Sequence, residues 1–250
     1  MTKLTVILIT LDEEKNLARC LESVKWADEI VVVDTYSQDR TKEIAGKYTD
    51  KIFELKWPGF GPAKQFALEK AGGEWILSID ADEVVPESLQ TEIREVINAT
   101  SYSDGYYVPR LSFFLGKWIR HGGWYPDYVL RLFRRQKARF TNSLVHEEVI
   151  LNGKAGYLKA DLLHYTVPDL ERYLVKMNRY TSHSAQELFQ KGRQTGLADI
   201  LFRPPAVFLK MYFWKLGFLD GFQGFLLASF SSFHVLAKYS KLWYLNKKKS

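Results

Sequence analysis

The chain opens with a continuous β-branched run, Leu4-Thr5-Val6-Ile7-Leu8-Ile9, then turns polar at Thr10-Leu11-Asp12-Glu13-Glu14, and resumes with apolar positions at helical spacing, Leu17, Cys20, Leu21 and Val24. That order predicts a strand followed by a helix, with Thr10-x-x-Glu13 as a capping signature between them. The alternation recurs. Glu29 to Val33 predicts a strand ending at Asp34, Asp39 to Tyr48 a helix, Lys51 to Glu54 a strand, Pro62 to Ala71 a helix and Trp75 to Ile79 another strand. Strands apolar on both faces and alternating with helices imply a parallel sheet built from right-handed crossovers, at least through residue 97.

After Ser101 the alternation stops. Short aromatic runs, Gly105 to Val108 and Tyr128 to Phe133, predict further strands in a mixed sheet, and Gly122-Gly123-Trp124-Tyr125-Pro126 reads as a loop. From Asp169, a plausible cap, the spacing of Leu170, Tyr173, Leu174 and Met177 predicts a helix that the polar stretch Gln190 to Gly196 ends. The expected organisation is an α/β catalytic domain over residues 1–168, with a nucleotide-binding half (1–100) and an acceptor half (101–168), followed by a helical extension over 169–250.

Composition narrows the class. At 46% hydrophobic content, 250 residues suffice for a sizeable core. The single cysteine, Cys20, excludes an internal disulfide, and the apolar run at the N-terminus is too short for a signal peptide, so a reducing, cytoplasmic setting is expected. A net charge of +6 directs attention to where the basic residues fall. Between Arg110 and Phe140, Arg110, Lys117, Arg120, Arg131, Arg134, Arg135, Lys137 and Arg139 are interleaved with Trp118, Trp124, Tyr125 and Tyr128, against the lone acid Asp127. Guanidinium groups suit phosphate and aromatic faces suit sugar rings, so this stretch is a candidate acceptor surface, or alternatively a set of solvated strand edges. Nothing in it resembles a groove-reading module, so nucleic acid is not an expected partner.

Leu197 to Leu245 is strongly apolar and aromatic, no Asp or Glu follows Asp220, and Lys238, Lys241 and Lys247-Lys248-Lys249 complete a positive end. The charge-free stretch Gly221 to Ala237 is shorter than the ~20 residues needed to span a bilayer. An interfacial helix pair on an anionic membrane leaflet accounts for this composition, as does a helical cap or an oligomer contact.

Several chemistries are excluded by their missing motifs. Gly59-Phe60-Gly61 lacks a third glycine, no Gly-x-x-x-x-Gly-Lys-Ser/Thr loop exists, the histidines show no His-Glu-x-x-His spacing, and no serine sits in a Gly-x-Ser-x-Gly elbow. What remains is a set of polar groups at successive strand ends, most notably Asp80-Ala81-Asp82-Glu83 after the apolar run Trp75 to Ile79. Strand ends are where open α/β sheets bind ligands, and two Asp one residue apart offer hard oxygen donors for Mg²⁺ or Mn²⁺. The competing reading is an acidic turn leading into a helix near Pro86, to which Glu83 is assigned.

These residues resemble the family 2 glycosyltransferases of the GT-A fold: Thr10-Leu11-Asp12-Glu13-Glu14 after the first strand, Val32-Val33-Asp34 after the second, Gly61-Pro62-Ala63-Lys64 opening a helix, and Asp80-Ala81-Asp82 after the fourth strand. Trp124-Tyr125-Pro126-Asp127, Arg131-Leu132-Phe133-Arg134 and Val145-His146-Glu147 resemble the subgroup that includes lipopolysaccharide core β-1,4-glucosyltransferases. One departure is Asp12, where many members carry Asn.

The resemblance implies a GT-A mixed sheet flanked by helices, with the C-terminal extension associating with membrane. It implies an inverting transfer of a hexose, glucose foremost, from a UDP-sugar to an anionic glycolipid such as lipopolysaccharide inner core, at the inner face of the cytoplasmic membrane. Thr10, Asp12, Glu13 and Asp34 would bind the nucleoside, Lys64 would lie near base or phosphates, Asp80 near ribose or metal, and Asp82 on the divalent cation. Trp124, Tyr125, Asp127 and Arg131 would face acceptor or phosphate. Glu147 would be the general base, with Glu148 competing. His164 is a candidate second metal ligand, although a lone histidine on an apolar stretch is more often a core residue. Transfer to polyprenyl phosphate and a catalytically silent nucleotide-sugar-binding subunit are the alternatives.

Overall fold

In a computed structural model of the protein, residues 4–99, 103–141, 148–167 and 170–249 are described. They fall into two compact units, one formed by the chain up to Arg110 together with Asp127–His164, the other by Leu111–Pro126 together with the chain from Tyr165 onward.

The first unit begins as the apolar pattern predicts. Its elements run β1 (Leu4–Thr10), α1 (Leu17–Val24), β2 (Glu29–Asp34), α2 (Thr41–Ala45), β3 (Ile52–Glu54), α3 (Phe60–Lys70) and β4 (Trp75–Ser78). A two-residue strand, β5 (Glu83–Val84), then precedes α4 (Glu87–Asn98). Strands β1 and β2, β1 and β4, and β2 and β3 pair in parallel, with Thr10 opposite Asp34. Alternate residues serve the two faces. Val6, Leu8, Val32 and Leu77 pack under α1 and α4 on one side, whereas Ile7, Val31, Val33 and Ile76 meet Ala67 and Leu68 of α3 on the other. In α1 the buried positions are Leu17, Cys20, Leu21 and Val24, a single stripe, and burying each large aliphatic chain contributes roughly 1.5–3 kcal/mol.

The capping expectation fails at the start of α1. Asn16 occupies the N-cap with no side-chain bond, and the Thr10 hydroxyl donates instead to Asp34 Oδ1 at 3.0 Å. Three residues intervene between Glu13 and the helix, and Asn16 N and Leu17 N both bond the Glu13 carbonyl. A turn, not the helix, takes up the polar segment.

Past residue 103 the sheet becomes mixed. The chain forms β6 (Gly105–Phe114), β7 (Lys117–Ile119), β8 (Asp127–Arg134), β9 (Ala138–Phe140), β10 (Val149–Leu151), β11 (Ala155–Tyr157) and β12 (Leu162–Val167). The strand order is β3-β2-β1-β4-β8-β6-β12-β5, with β8 antiparallel to both β4 and β6. Strand β5 pairs antiparallel with β12, setting Glu83 opposite His164. Strands β9 and β10 form a separate hairpin.

The second unit is mostly helical, with α5 (Leu170–Gln190), α6 (Leu197–Leu209) and α7 (Gly221–Lys249). Its core gathers Phe114, Ile119 and Leu227, with Trp124, Tyr173 and Phe230 against them. Lys241, on α7, donates to Asn178 O and Oδ1, Thr181 Oγ1 and Ser182 Oγ of α5, so this lysine ties helices together. No helix among the described residues is long and apolar enough to cross a membrane.

Candidate active site

Parallel register brings the C-terminal ends of β1, β2 and β4 side by side, and the polar residues that follow them are organised by hydrogen bonds between loops. Asp34 is fully buried. Its Oδ1 accepts from Thr10 Oγ1 and Ser37 Oγ (2.6 Å), and its Oδ2 accepts from Ser37 N (2.9 Å). Ser37 Oγ in turn accepts from Asp12 N at 2.9 Å, and Asp12 Oδ1 accepts from Gln38 N at 2.7 Å. Asp12 itself has φ 53, the left-handed region that Asp and Asn tolerate best. The two loops are thus laced together, and Asp34 acts here by fixing the Thr10 to Ser37 frame. Ser37 was not singled out by sequence; an Asp followed three residues on by Ser is a turn signal that would have marked it.

Glu13 lies beside this frame. Its backbone N donates to Thr41 Oγ1 and its Oε2 accepts from Asn16 Nδ2. Burial pushes the Glu13 carboxyl up, and the charges of Asp82, Asp39 and Asp80 push it further, against the Asn16 bond. Thr10, Asp12 and Asp34 therefore form one network, and Glu13 adjoins the aspartates after β4.

Lys64 is not a solvated helix residue. It is 3% exposed, and its Nζ lies 2.9 Å from Asp80 Oδ1. Arg131 approaches the other oxygen of the same carboxylate, Oδ2, at 2.5 Å and reaches Glu83 Oε1 at 2.7 Å. Burial would raise the Asp80 carboxyl, but Arg131 and Lys64 hold it well below the usual carboxylate range. Burial would likewise lower the guanidinium of Arg131, and Asp80 and Glu83 hold it up.

Two expectations are corrected here. Arg131, expected to face acceptor or phosphate, is buried between two carboxylates because the antiparallel register of β8 against β4 carries it inward, to the loop after β4. Glu83, expected in a helix-leading turn, is completely buried in β5, accepts Asp80 N at 2.9 Å through Oε2, and has Arg110 Nη1 at 3.6 Å. Arg110 continues the chain of charges to Asp127 at 2.6 Å. The basic stretch is thus divided. Arg110 and Arg131 serve internal ion pairs, and Arg134 pairs with Glu74 and stacks over Trp75.

The second aspartate of the motif stands apart from that network and meets His164 instead. Asp82 Oδ2 is 3.3 Å from His164 Nε2, brought together by the pairing of β5 with β12. Adjacent ligands on a cation of ~2.1 Å bond length sit ~3 Å apart, so this carboxylate and imidazole fit two neighbouring positions on one divalent ion. Among the described residues no group of three or more His, Cys, Asp or Glu side chains could hold a metal. A cation here would draw its remaining ligands from water and from the oxygens of a bound diphosphate, as Mg²⁺ sites commonly do.

Trp124 and Tyr125 belong to the second unit. Trp124 stacks edge-on against Phe114, Arg120 lies over the Tyr125 ring, and the Tyr125-Pro126 peptide is cis. Glu147, the expected base, lies outside the described residues. Glu148 is exposed, its backbone joined to Thr141 next to the Phe140–Val149 pair of the β9–β10 hairpin.

The chain, with its mixed sheet and the acidic residues that follow β1, β2 and β4, is similar to known proteins in both sequence and fold. Residues 5–151 match the family described as Glycosyl transferase family 2. The chain belongs to that family. It is 32% identical to the lipopolysaccharide core biosynthesis glycosyltransferase LpsC of Rhizobium meliloti (strain 1021), over 94% of this chain and 91% of the relative. The mannosyltransferase PcManGT of Pyrobaculum calidifontis, solved with GDP-Man and Mn²⁺, shares the fold at TM-score 0.56 and 14% identity, covering 96% of this chain and 87% of the other. S. aureus TarS 1-349 in complex with UDP does so at 0.53 and 18%, covering 99% and 92%. The fold of this family 2 glycosyltransferase is accordingly the GT-A type, a mixed sheet flanked by helices.

Proposed function

We propose that this family 2 enzyme is an inverting hexosyltransferase that moves glucose from a UDP-sugar to a lipid-linked saccharide such as lipopolysaccharide inner core, held peripherally at the inner face of the cytoplasmic membrane. The observation that carries the reading is the division of labour within the β4 motif. Asp80 is saturated by Lys64 and Arg131, while Asp82 stands 3.3 Å from His164 with donor chemistry suited to a divalent cation. The likeness to LpsC supports a lipopolysaccharide core acceptor. TarS, a fold neighbour, takes UDP.

In this reading the Thr10, Asp12, Glu13 and Asp34 frame receives the nucleoside, and Lys64 lies beside the phosphates. Asp82 and His164 would hold Mg²⁺ or Mn²⁺, which when bound supplies charge compensation to the diphosphate leaving group. Glu147 takes the proton of the acceptor hydroxyl as its oxygen bonds the anomeric carbon. The bond from that carbon to the diphosphate breaks at the same time, and its electron pair leaves with UDP. Trp124, Tyr125 and Asp127 are the acceptor-side groups.

The test is release of UDP from a panel of UDP-sugars, with and without divalent cation and with phosphorylated glycolipid or polyprenyl phosphate as acceptor. Cation-dependent release with UDP-glucose and glycolipid is expected. Polyprenyl phosphate as the sole productive acceptor would replace the proposed acceptor, and donor binding without turnover on any acceptor would make the chain a silent nucleotide-sugar-binding subunit.

A further inference from the structure

Between α6 and α7 the second unit leaves a set of aromatic side chains in water. The backbone there is tightly built, from a π turn (Lys210–Trp214), Leu216 at φ 55 and a 3-10 turn (Gly217–Asp220). A side chain at Gly217 would meet Met211 O at 2.7 Å, so glycine is what permits the two turns to close on each other. Despite that closure the apolar groups stay outside. Trp214 is 86% exposed, Phe222 68%, and Phe213 and Leu209 55% each. Phe208 is in ring contact with Tyr212, Phe213 and Phe225, Tyr212 with Phe213 and Phe225, and Phe222 stacks on Phe225, so these rings form one patch, with Leu209 and Trp214 next to Phe208 and Phe213 in the chain.

Charge decides what such a patch fits. Lys210 and Lys215 are exposed beside the aromatics. The acid of the segment, Asp220, is 3% exposed and accepts from His121 N at 2.7 Å and from Arg120 N at 3.2 Å, with His121 Nδ1 at 3.1 Å. Among the described residues from Leu209 to Phe225 no carboxylate reaches the surface. An exposed aromatic patch rimmed by lysines is complementary to anionic headgroups over an apolar interior.

The hairpin also carries a loop. Besides the Asp220 bonds, Gly122 N donates to Lys215 O at 2.9 Å, so residues 120–122, which lead directly to Trp124 and Tyr125, are fastened to the patch's own backbone. We propose that the Leu209–Phe225 hairpin docks on an anionic lipid surface and there presents the 120–126 loop to a lipid-anchored acceptor. The membrane and the lipid-anchored acceptor are taken from the function proposed above; which surface meets the lipid rests on the patch.

Co-sedimentation of the full chain with vesicles of phosphatidylcholine alone, or of phosphatidylcholine with one-third phosphatidylglycerol, tests this. Binding to the anionic vesicles and weak binding to the neutral ones are expected. The double variant Phe213→Glu, Trp214→Glu should bind at least about tenfold more weakly, with thermal unfolding and UDP affinity unchanged. Val175→Glu, at a side chain 67% exposed on α5, should bind as wild type. Equal binding by the double variant, or equal binding to neutral vesicles, overturns the proposal. So does a wild-type oligomer that the double variant dissociates without any change in vesicle binding, since the face would then join two copies of the chain. Failure of UDP to bind the wild type would instead overturn the donor reading and leave the vesicle result standing.

Discussion

Arg131 donates to Asp80 at 2.5 Å, joining the middle of β8 to the loop that follows β4. With its other contact to fully buried Glu83, the guanidinium holds two carboxylates in fixed positions at the edge of the proposed donor site. Removing it leaves fully buried Glu83 to the more distant Arg110, 3.6 Å away, and takes one of two cations from Asp80. Arg131→Ala is expected to lower unfolding free energy by roughly 3–5 kcal/mol, read by urea denaturation, and Arg131→Lys to recover only part of it because an ammonium lacks the fork that reaches both acids.

Asp80 should make stability fall in acid. Its folded pKa is depressed by Arg131 and Lys64, so its contribution is complete above the unfolded carboxylate value of about 4 and is lost as pH falls through the lower folded value. The stability difference between wild type and Asp80→Asn, measured by urea midpoints, should therefore be widest near neutrality and shrink below about pH 4.

Glu13 should act with the opposite sign. Burial and its acidic neighbours raise its folded pKa, so the ionised form weakens the fold once pH rises through that value, and the penalty disappears in acid. Glu13→Gln is expected to raise the thermal midpoint at pH 7 and to leave it unchanged at a pH below the ordinary glutamate value. A destabilised variant at pH 7 would mean that the Asn16 bond outweighs burial.

How much of this could be read from the chain follows from range. Strands β1, β2 and β4 and the helices between them were visible as periodicities, because each buries a local pattern on both faces of the sheet. Asp80 and Asp82 were legible for the same reason, standing at the end of one apolar run. The roles of Arg131 and Glu83 were not, since they depend on β8 pairing antiparallel with β4, a register set by contacts dozens of residues apart. Thr10 carries a cap signature without being a cap, because a Thr-x-x-Glu spacing looks the same whether the hydroxyl turns to its own helix or, as here, to Asp34 on the next strand. The proximity of His164 to Asp82 likewise depends on β5, a strand of two residues too short to register as a pattern.

Glu147→Gln isolates the proton transfer. Turnover should drop by ~10²–10⁴-fold with UDP-sugar affinity unchanged, whereas Glu148→Gln should turn over nearly as wild type. Normal turnover by the Glu147 variant would remove the base assignment.

The donor site is tested most directly by calorimetric titration of UDP with and without Mn²⁺, in wild type and in Asp82→Asn. Wild type should bind UDP at least about tenfold more tightly with Mn²⁺ present, His164→Ala should lose part of that gain, and Asp82→Asn should lose nearly all of it while keeping its metal-free affinity. An Asp82→Asn variant that gains as much from Mn²⁺ as wild type would contradict the placement of the cation at this strand end.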